Sequence, residues 1–126
     1  MRLLVVEDSP LLRKMFGLAF PTVHHELAQA ESGRQAIELL RGSAAPFDAV
    51  LLDLSMPDMN GPEFIRALRR LPLHGRTPVV LTTAEPDDSD LMREATALGV
   101  SAVAKKPWTP QSLRALVQQV LDSPTG

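Results

Sequence analysis

The sequence predicts a doubly wound α/β fold, in which helices cover both faces of one parallel β-sheet. Two patterns indicate it: short apolar runs recur along the chain, and the apolar residues after each run follow helical spacing. Alternating strands and helices produce parallel pairing, and right-handed crossovers bring the carboxyl ends of all strands to one edge. The expected strands are residues 3–6, 26–30, 49–53, 79–81 and 100–106.

Capping and turn residues place the five helices between and after these strands. Ser9-Pro10 and Thr109-Pro110 are typical N-cap and first-turn pairs, and Gly99 is a typical residue at a helix C-terminus. The helices are expected to begin near residues 10, 33, 62, 91 and 110.

The length of the chain favours one domain with a five-stranded, flavodoxin-like order. The 126 residues fit a single domain, and 44% hydrophobic residues can form its core. The expected strand order is 2-1-3-4-5, a common arrangement for this number of βα units. The second strand is short and polar, as is typical of an edge strand. We expect the domain to span residues 1–122, with a linker-like tail at residues 123–126.

The composition excludes several classes of function. A net charge of −2 without a dominant basic patch argues against direct binding of nucleic acid. The absence of cysteine excludes disulfides and thiolate metal sites and is compatible with the cytoplasm, the expected location. No apolar run approaches the roughly 20 residues of a membrane span, and the N-terminus lacks the pattern of a signal peptide.

Chemically active side chains follow four of the predicted strands. Glu7 and Asp8 come after the first strand, Asp53 ends the third, and Thr83 and Lys106 follow the fourth and fifth. Three carboxylates on adjacent strand ends repel one another unless a cation lies between them. Mg²⁺ prefers oxygen ligands and uses few protein carboxylates, so the pattern predicts a magnesium site at this edge.

The hydroxyl and the ammonium group extend this site towards phosphoryl chemistry. Thr83 and Lys106 suit phosphoryl oxygens, and together with a metal ion they neutralise the charge of a transferring phosphoryl group. Asp53 is the best candidate nucleophile because it ends the most apolar strand at the centre of the sheet. Its attack on phosphorus would form an aspartyl-phosphate.

In this combination the residues resemble the receiver domain of two-component response regulators, over essentially the whole chain from residue 2 to about residue 121. The matching pieces are Glu7-Asp8, Asp53, Met56-Pro57-Asp58-Met59-Asn60-Gly61, Thr83-Ala84 and Lys106-Pro107.

The resemblance implies a role for each residue of the site. Asp53 accepts a phosphoryl group from a phosphohistidine on a histidine kinase or a histidine phosphotransfer protein. Asp8, Asp53 and the backbone carbonyl of Ser55 bind Mg²⁺, and Glu7 helps through water. Thr83 and Lys106 contact the phosphoryl oxygens. The domain then catalyses only its own phosphorylation and dephosphorylation.

The resemblance also bears on neighbouring residues and on partners. The Lys106-Pro107 bond is expected to be cis. Thr82 and Lys105 are one residue out of register with Thr83 and Lys106 and could replace them in the site. The following Ala84 and Pro107 match the family pattern and favour Thr83 and Lys106. The phosphorylated domain is expected to switch the binding of an output partner. A homodimer through the fourth helix, fifth strand and fifth helix is one possible assembly.

Two positions depart from the family pattern. Val103 stands where many receivers carry an aromatic residue whose rotation reports phosphorylation. The sequence therefore does not indicate how phosphorylation would change the output surface. Trp108 follows Pro107, where the family often has phenylalanine, and packing between the last loop and a helix is expected. The three histidines are expected at the surface or the sheet edge, because no further metal ligands accompany them.

Two other functions remain in competition with the receiver hypothesis. One is a Mg²⁺-dependent phosphohydrolase with an aspartyl-phosphate intermediate. Hydrolases of the haloacid-dehalogenase type carry a second aspartate two residues after the nucleophile as general acid/base, and here that residue is Ser55. The other is an interaction module that is not phosphorylated. Ser55 and Glu85, each two residues after a site residue, are expected to control water access to the phosphoryl group.

Overall fold

The computed structural model describes residues 1–123, which form one five-stranded parallel sheet in the order β2-β1-β3-β4-β5. The strands are β1 (Arg2–Val6), β2 (Glu26–Ala30), β3 (Ala49–Leu52), β4 (Val79–Thr83) and β5 (Ala102–Lys105). The helices are α1 (Pro10–Ala19), α2 (Gly33–Gly42), α3 (Gly61–Arg69), α4 (Asp90–Leu98) and α5 (Pro110–Leu121). The predicted fold class and strand order are confirmed.

The sheet divides the core into two layers of side chains. Leu3 and Val5 of β1 lie in one layer with residues of α1 and α5. Leu4 and Val6 lie in the other layer with residues of α2, α3 and α4. Because β1 and β3 are covered on both faces, their sequences are continuous apolar runs rather than alternating ones. By contrast, β2 is only partly buried and lies at one edge, as its polar sequence predicts.

The loop between β3 and α3 is closely packed where it enters the helix. Asn60 and Glu63 form a capping box, so α3 begins at Gly61, one residue before the expected start. A Cβ atom on Gly61 would overlap Leu54 Cδ2 and would lie 3.1 Å from the Leu54 Cα atom. The turn therefore requires glycine for its close approach to the chain, and this packing fixes the loop that follows Asp53.

The bounds of every strand except β2 differ from those expected: β1 begins one residue earlier, at Arg2, and β4 extends two residues further, to Thr83. β3 ends at Leu52 rather than residue 53, although the Asp53 N–H continues the ladder by donating to the Val6 carbonyl at 3.1 Å. β5 spans Ala102–Lys105 rather than 100–106. It starts later because Gly99 turns the chain with a φ of 93°, and it ends at the cis Lys106-Pro107 bond.

The environment of His74 differs from the surface position expected for it. The side chain is 2% exposed, and its Nε2 atom lies 3.1 Å from the Leu40 carbonyl oxygen at the end of α2. The surface prediction is wrong because that carbonyl comes from a distant part of the sequence. No helix within residues 1–123 combines the length and apolar character needed to cross a membrane. Of the expected tail, residues 124–126 lie outside the described part.

Candidate functional site

Three carboxylates meet at the carboxyl edge of the two central strands. Glu7 and Asp8 follow β1, and Asp53 follows β3. One oxygen atom from each lies within 4.8 Å of the others. Glu7 and Asp53 are buried, at 1% and 6% exposure, whereas Asp8 is exposed. The arrangement is an open-sided acidic cluster into which a cation can enter from solvent.

Backbone hydrogen bonds beyond the strand ends hold two of these acids in place. The Glu7 N–H donates to the Ala30 carbonyl at 3.0 Å, and the Asp53 N–H donates to the Val6 carbonyl at 3.1 Å. The sheet ladder therefore continues one step past β1 and β3. Both carboxylates are thus attached to rigid backbone, which suits a site that must hold a fixed geometry.

Lys106 places its ammonium group between the two buried carboxylates. Its Nζ atom lies 3.2 Å from Glu7 Oε1 and 3.5 Å from Asp53 Oδ1. The residue is brought there by the end of β5, where its own N–H donates to the Thr83 carbonyl at 2.8 Å. The lysine side chain is 20% exposed, so the ammonium is partly desolvated while it balances the acids.

The acidity of the buried carboxyls reflects this crowding. Burial and then the charge of Asp53 raise the pKa of Glu7 to about 7, against the opposing effects of the Ser9 N–H and Lys106. Burial also raises the pKa of Asp53, although Lys106 and the Ser55 N–H act to lower it. Both carboxyls hold protons more tightly than isolated acids because one ammonium does not offset their burial. A divalent cation at the cluster would favour their ionised forms.

A cavity of about 270 Å³ opens beside Asp53, between the ends of β3, β4 and β5. The lining residues are Asp53, Ser55, Thr83, Ala84, Glu85, Pro86 and Lys106. The Thr83 Oγ1 atom accepts a hydrogen bond from the Glu85 N–H at 2.9 Å. Its own hydroxyl proton is then available for a phosphoryl oxygen, since a hydroxyl donates one bond and accepts two.

Thr82 and Lys105, the sequence neighbours of Thr83 and Lys106, do not line the cavity. The Thr82 hydroxyl is buried and has no hydrogen-bond partner within the described residues. Lys105 is 43% exposed at its side chain and pairs with Asp87 of the β4–α4 loop, with 3.0 Å between Nζ and Oδ1. Adjacent strand residues point to opposite faces, so each pair supplies one residue to the cavity and one to another environment.

Ser55 and Glu85 face each other across the mouth of the cavity. The Ser55 hydroxyl donates to Glu85 Oε1 at 3.3 Å, and the Ser55 N–H donates to Asp53 Oδ1 at 3.3 Å. This contact joins the β3–α3 loop to the β4–α4 loop over the acceptor side chain. Both residues line the cavity, so they border the approach to Asp53 on this side.

Asp58 anchors the β3–α3 loop, a role that sequence reasoning missed. Its two carboxylate oxygens accept hydrogen bonds from the N–H groups of Gly33 and Arg34, at 3.2 and 2.9 Å. Ser32 caps the next free N–H, that of Gln35, at 3.1 Å. The amino end of α2 is therefore capped partly by its own sequence and partly from the loop behind Asp53. The only sequence signal was an acid in a turn-forming segment.

The two departures from the family pattern have clear structural settings. Val103 is half-buried and packs against the core layer that contains α4. Trp108 is buried against α1, with its ring centroid 4.7 Å from that of Phe16, as expected for a packing role. The position of Val103 holds no aromatic ring to rotate.

A scan against family models matches residues 3–118 to the response regulator receiver domain. The chain belongs to this receiver domain family. A chemotaxis protein CheY homolog of Campylobacter jejuni is 30% identical over 127 residues, covering 100% of this chain and 96% of that protein. The receiver fold of the chain also matches solved structures closely. The chemotaxis response regulator CheY4 of Vibrio cholerae has a TM-score of 0.84 at 29% identity, covering 94% of this chain and 97% of that one.

A more distant solved structure shares the fold of this receiver domain. It is the receiver domain of the sensor histidine kinase PA1611 from Pseudomonas aeruginosa, with a TM-score of 0.84 and 21% identity. The match covers 97% of this chain and 98% of the solved chain, in whose active site cleft a magnesium ion is coordinated. Receiver domains interact with histidine kinases, which defines the general kind of partner for this chain.

Proposed function

We propose that this receiver domain accepts a phosphoryl group on Asp53 and thereby switches the binding of a partner. The observation that carries the proposal is the position of Asp53, which lies at once in the acidic cluster and in the wall of the cavity. A carboxylate that is buried, fixed by backbone and open to a phosphate-sized space is suited to attack phosphorus.

In the proposed reaction a carboxylate oxygen of Asp53 forms a bond to phosphorus as the bond to the donor nitrogen breaks. The leaving imidazole of the donor keeps the electron pair of that bond and takes a proton from water. Lys106 lies 3.5 Å from Asp53 Oδ1 and balances negative charge at the acceptor. Thr83 supports the phosphoryl oxygens with its hydroxyl proton. The proposed donor is a phosphohistidine on a histidine kinase or a histidine phosphotransfer protein in the cytoplasm.

The acidic cluster fits Mg²⁺, which we propose as the cofactor. Asp8 and Asp53 are the proposed direct ligands with the Ser55 backbone carbonyl, and Glu7 contributes through water. The oxygen-only donor set and the raised pKa of two carboxyls support a hard cation here. When bound, Mg²⁺ neutralises charge on the phosphoryl oxygens. A related receiver fold with magnesium in its cleft is consistent with the proposal.

The hydrolase alternative is less well supported by the same site. The position two residues after Asp53 holds Ser55, whose hydroxyl is neutral near pH 7 and donates to Glu85. Such a group neither gives nor takes a proton readily during hydrolysis of an acyl phosphate. We therefore propose that the chain catalyses only its own phosphorylation and dephosphorylation. A homodimer through α4, β5 and α5 stays a prediction.

The test of the proposal is incubation with acetyl phosphate and Mg²⁺, followed by intact mass measurement. The native chain is expected to gain the mass of one phosphoryl group, and Asp53→Asn is expected to gain none. Asp88→Asn, an equal charge change at an exposed acid of the β4–α4 loop, is the matched control and should behave as the native chain. An adduct of equal yield on Asp53→Asn, or none on the native chain, would contradict the proposal.

A further inference from the structure

The wall of the acceptor cavity on the β4 side is a strongly acidic loop. Residues 84–90, from the end of β4 to the start of α4, carry Glu85, Asp87, Asp88 and Asp90 and no basic residue, and the next basic residue, Arg93, pairs with Asp90 at 3.0 Å. Glu85 lines the cavity. A phosphoryl group on Asp53 would add about two negative charges close to this loop. Repulsion would then tend to move the loop away from the phosphorylated aspartate.

Lys105 is the cation that β5 supplies to this loop. Its Nζ atom lies 3.0 Å from Asp87 Oδ1 and also contacts the backbone carbonyl oxygen of Glu85. Lys105 is paired in register with Thr83, so its anchor point is a strand of the central sheet. The side chain therefore links the rigid sheet to the outer side of the cavity wall.

Glu85 is consequently held from three directions. Its N–H donates to Thr83 Oγ1 at 2.9 Å, its carboxylate accepts from the Ser55 hydroxyl at 3.3 Å, and its carbonyl accepts from Lys105. Two of these contacts come from residues of the cavity itself. The contact from Lys105 comes from a residue outside the cavity lining. A negative charge added inside the cavity should therefore disturb this contact least.

We propose that Lys105 is a positioning residue that holds the β4–α4 loop over phosphorylated Asp53 and so lengthens the lifetime of the phosphoryl group. This inference rests on the proposed function. Lys105 does not act on the phosphoryl group itself, because its ammonium faces Asp87, whereas Lys106 faces Asp53. Its effect is to resist the charge repulsion that would open the cavity to water.

The test compares the decay of the phosphoryl adduct in five proteins. The native chain and the variants Lys105→Ala, Lys105→Arg, Asp87→Asn and Asp88→Asn are phosphorylated with acetyl phosphate and Mg²⁺. The small donor is then removed, and the adduct is followed by intact mass. Asp88→Asn is the matched control, since Asp88 lies beside Asp87 in the same loop and forms no ion pair within residues 1–123.

We expect Lys105→Ala to shorten the half-life of the adduct about 1.5- to fivefold, the range set by an exposed ion pair. Asp87→Asn should shorten it by less, because the contact of Lys105 with the Glu85 carbonyl remains. Lys105→Arg, which keeps charge and reach, should restore most of the native half-life, and Asp88→Asn should match the native chain. Raising the salt concentration should narrow the difference in half-life between the native chain and Lys105→Ala, because salt screens both the Lys105–Asp87 ion pair and the repulsion that it opposes.

The outcomes separate this inference from the function on which it rests. If the native chain forms no adduct, both fail. If it forms the adduct and Lys105→Ala decays at the native rate, only the role of Lys105 is wrong. A purely structural role would lower the unfolding temperature of Lys105→Ala without the salt-dependent change in half-life, and that result would also overturn the proposal.

Discussion

The carboxylate of Asp58 joins the β3–α3 loop to the amino end of α2, and its removal should destabilise the whole domain. Asp58 satisfies the N–H groups of Gly33 and Arg34, while Ser32 satisfies a third. In Asp58→Ala both bonds are lost, and a negative charge is removed from the positive end of the helix. Because the site is exposed, water replaces part of what is lost.

The expected loss of stability follows from these contacts. Removing a capping side chain costs about 1 kcal/mol, and the charge at the helix terminus contributes about 0.3–1 kcal/mol more. The free energy of unfolding of Asp58→Ala should therefore fall by about 1–2 kcal/mol. For a domain of this size that corresponds to a drop of roughly 4–8 °C in Tm. Asp58→Asn, which keeps one acceptor oxygen but no charge, should lose less.

The effect should depend on pH in a definite direction. Slight burial acts to raise the pKa of Asp58, but the N–H bonds from Arg34 and Gly33 outweigh it and hold that pKa below the ordinary value of 3.8. A carboxyl with a depressed pKa in the folded state stabilises above its unfolded pKa. That contribution starts to be lost at about pH 4 and disappears as pH falls through the folded pKa, so the difference in stability between native and Asp58→Asn chains should shrink over this range.

Urea unfolding at pH 7 and at pH 3, followed by circular dichroism, measures this directly. Asp88→Asn is the control, because it removes the same charge from an acid that caps no helix. It should leave the free energy of unfolding within about 0.5 kcal/mol of the native value. If Asp58→Ala is as stable as the control at pH 7, the loop does not cap α2 in solution and the reasoning is refuted.

Three further predictions concern the site and its supporting loop. Gly61→Ala should reduce the free energy of unfolding by about 1–3 kcal/mol in urea titrations, because the added methyl group overlaps the preceding loop; an unchanged midpoint would contradict this. Thr82→Val should be neutral or stabilising by up to about 1 kcal/mol, since its buried hydroxyl has no partner in residues 1–123. Thr83→Val should instead shorten the half-life of the phosphoryl adduct, measured by intact mass, because Thr83 is the proposed hydroxyl contact of the phosphoryl oxygens. If Thr82→Val shortened that half-life equally, the assignment of Thr83 rather than Thr82 to the site would be wrong. Ser55→Ala and Glu85→Gln should each change that half-life, because the first removes the hydroxyl that donates across the cavity mouth and the second removes the negative charge of the acceptor; two unchanged half-lives would exclude a role in water access.

The strand ends could be predicted from the sequence because the core imposes a strong pattern. β1 and β3 are buried on both faces, so their apolar runs are unbroken, and the polar residues that follow mark where the sheet meets solvent. The parallel topology then brings Glu7, Asp8 and Asp53 to one edge. That inference needs the chain direction, which right-handed crossovers determine, and the strand order, which follows from the common arrangement for five βα units.

The remaining contacts depend on the paths of loops, which sequence patterns describe poorly. His74 lies in a segment rich in proline and glycine that suggests exposure, but the fold brings it against the Leu40 carbonyl. Asp58 and Lys105 look like ordinary surface charges until the loops place Gly33 and Asp87 beside them. In each case the partner is more than 15 residues away, and no periodicity indicates the contact.

The central claim, that Asp53 is the phosphoacceptor, is tested most directly by chemical mapping of the adduct. Borohydride reduces an aspartyl-phosphate to homoserine, so the phosphorylated chain is reduced, digested and sequenced by mass spectrometry. The account predicts homoserine at position 53 after treatment with acetyl phosphate and Mg²⁺, and aspartate at position 53 when the donor is omitted. Homoserine at Asp8 or at another aspartate, with aspartate retained at position 53, would contradict it.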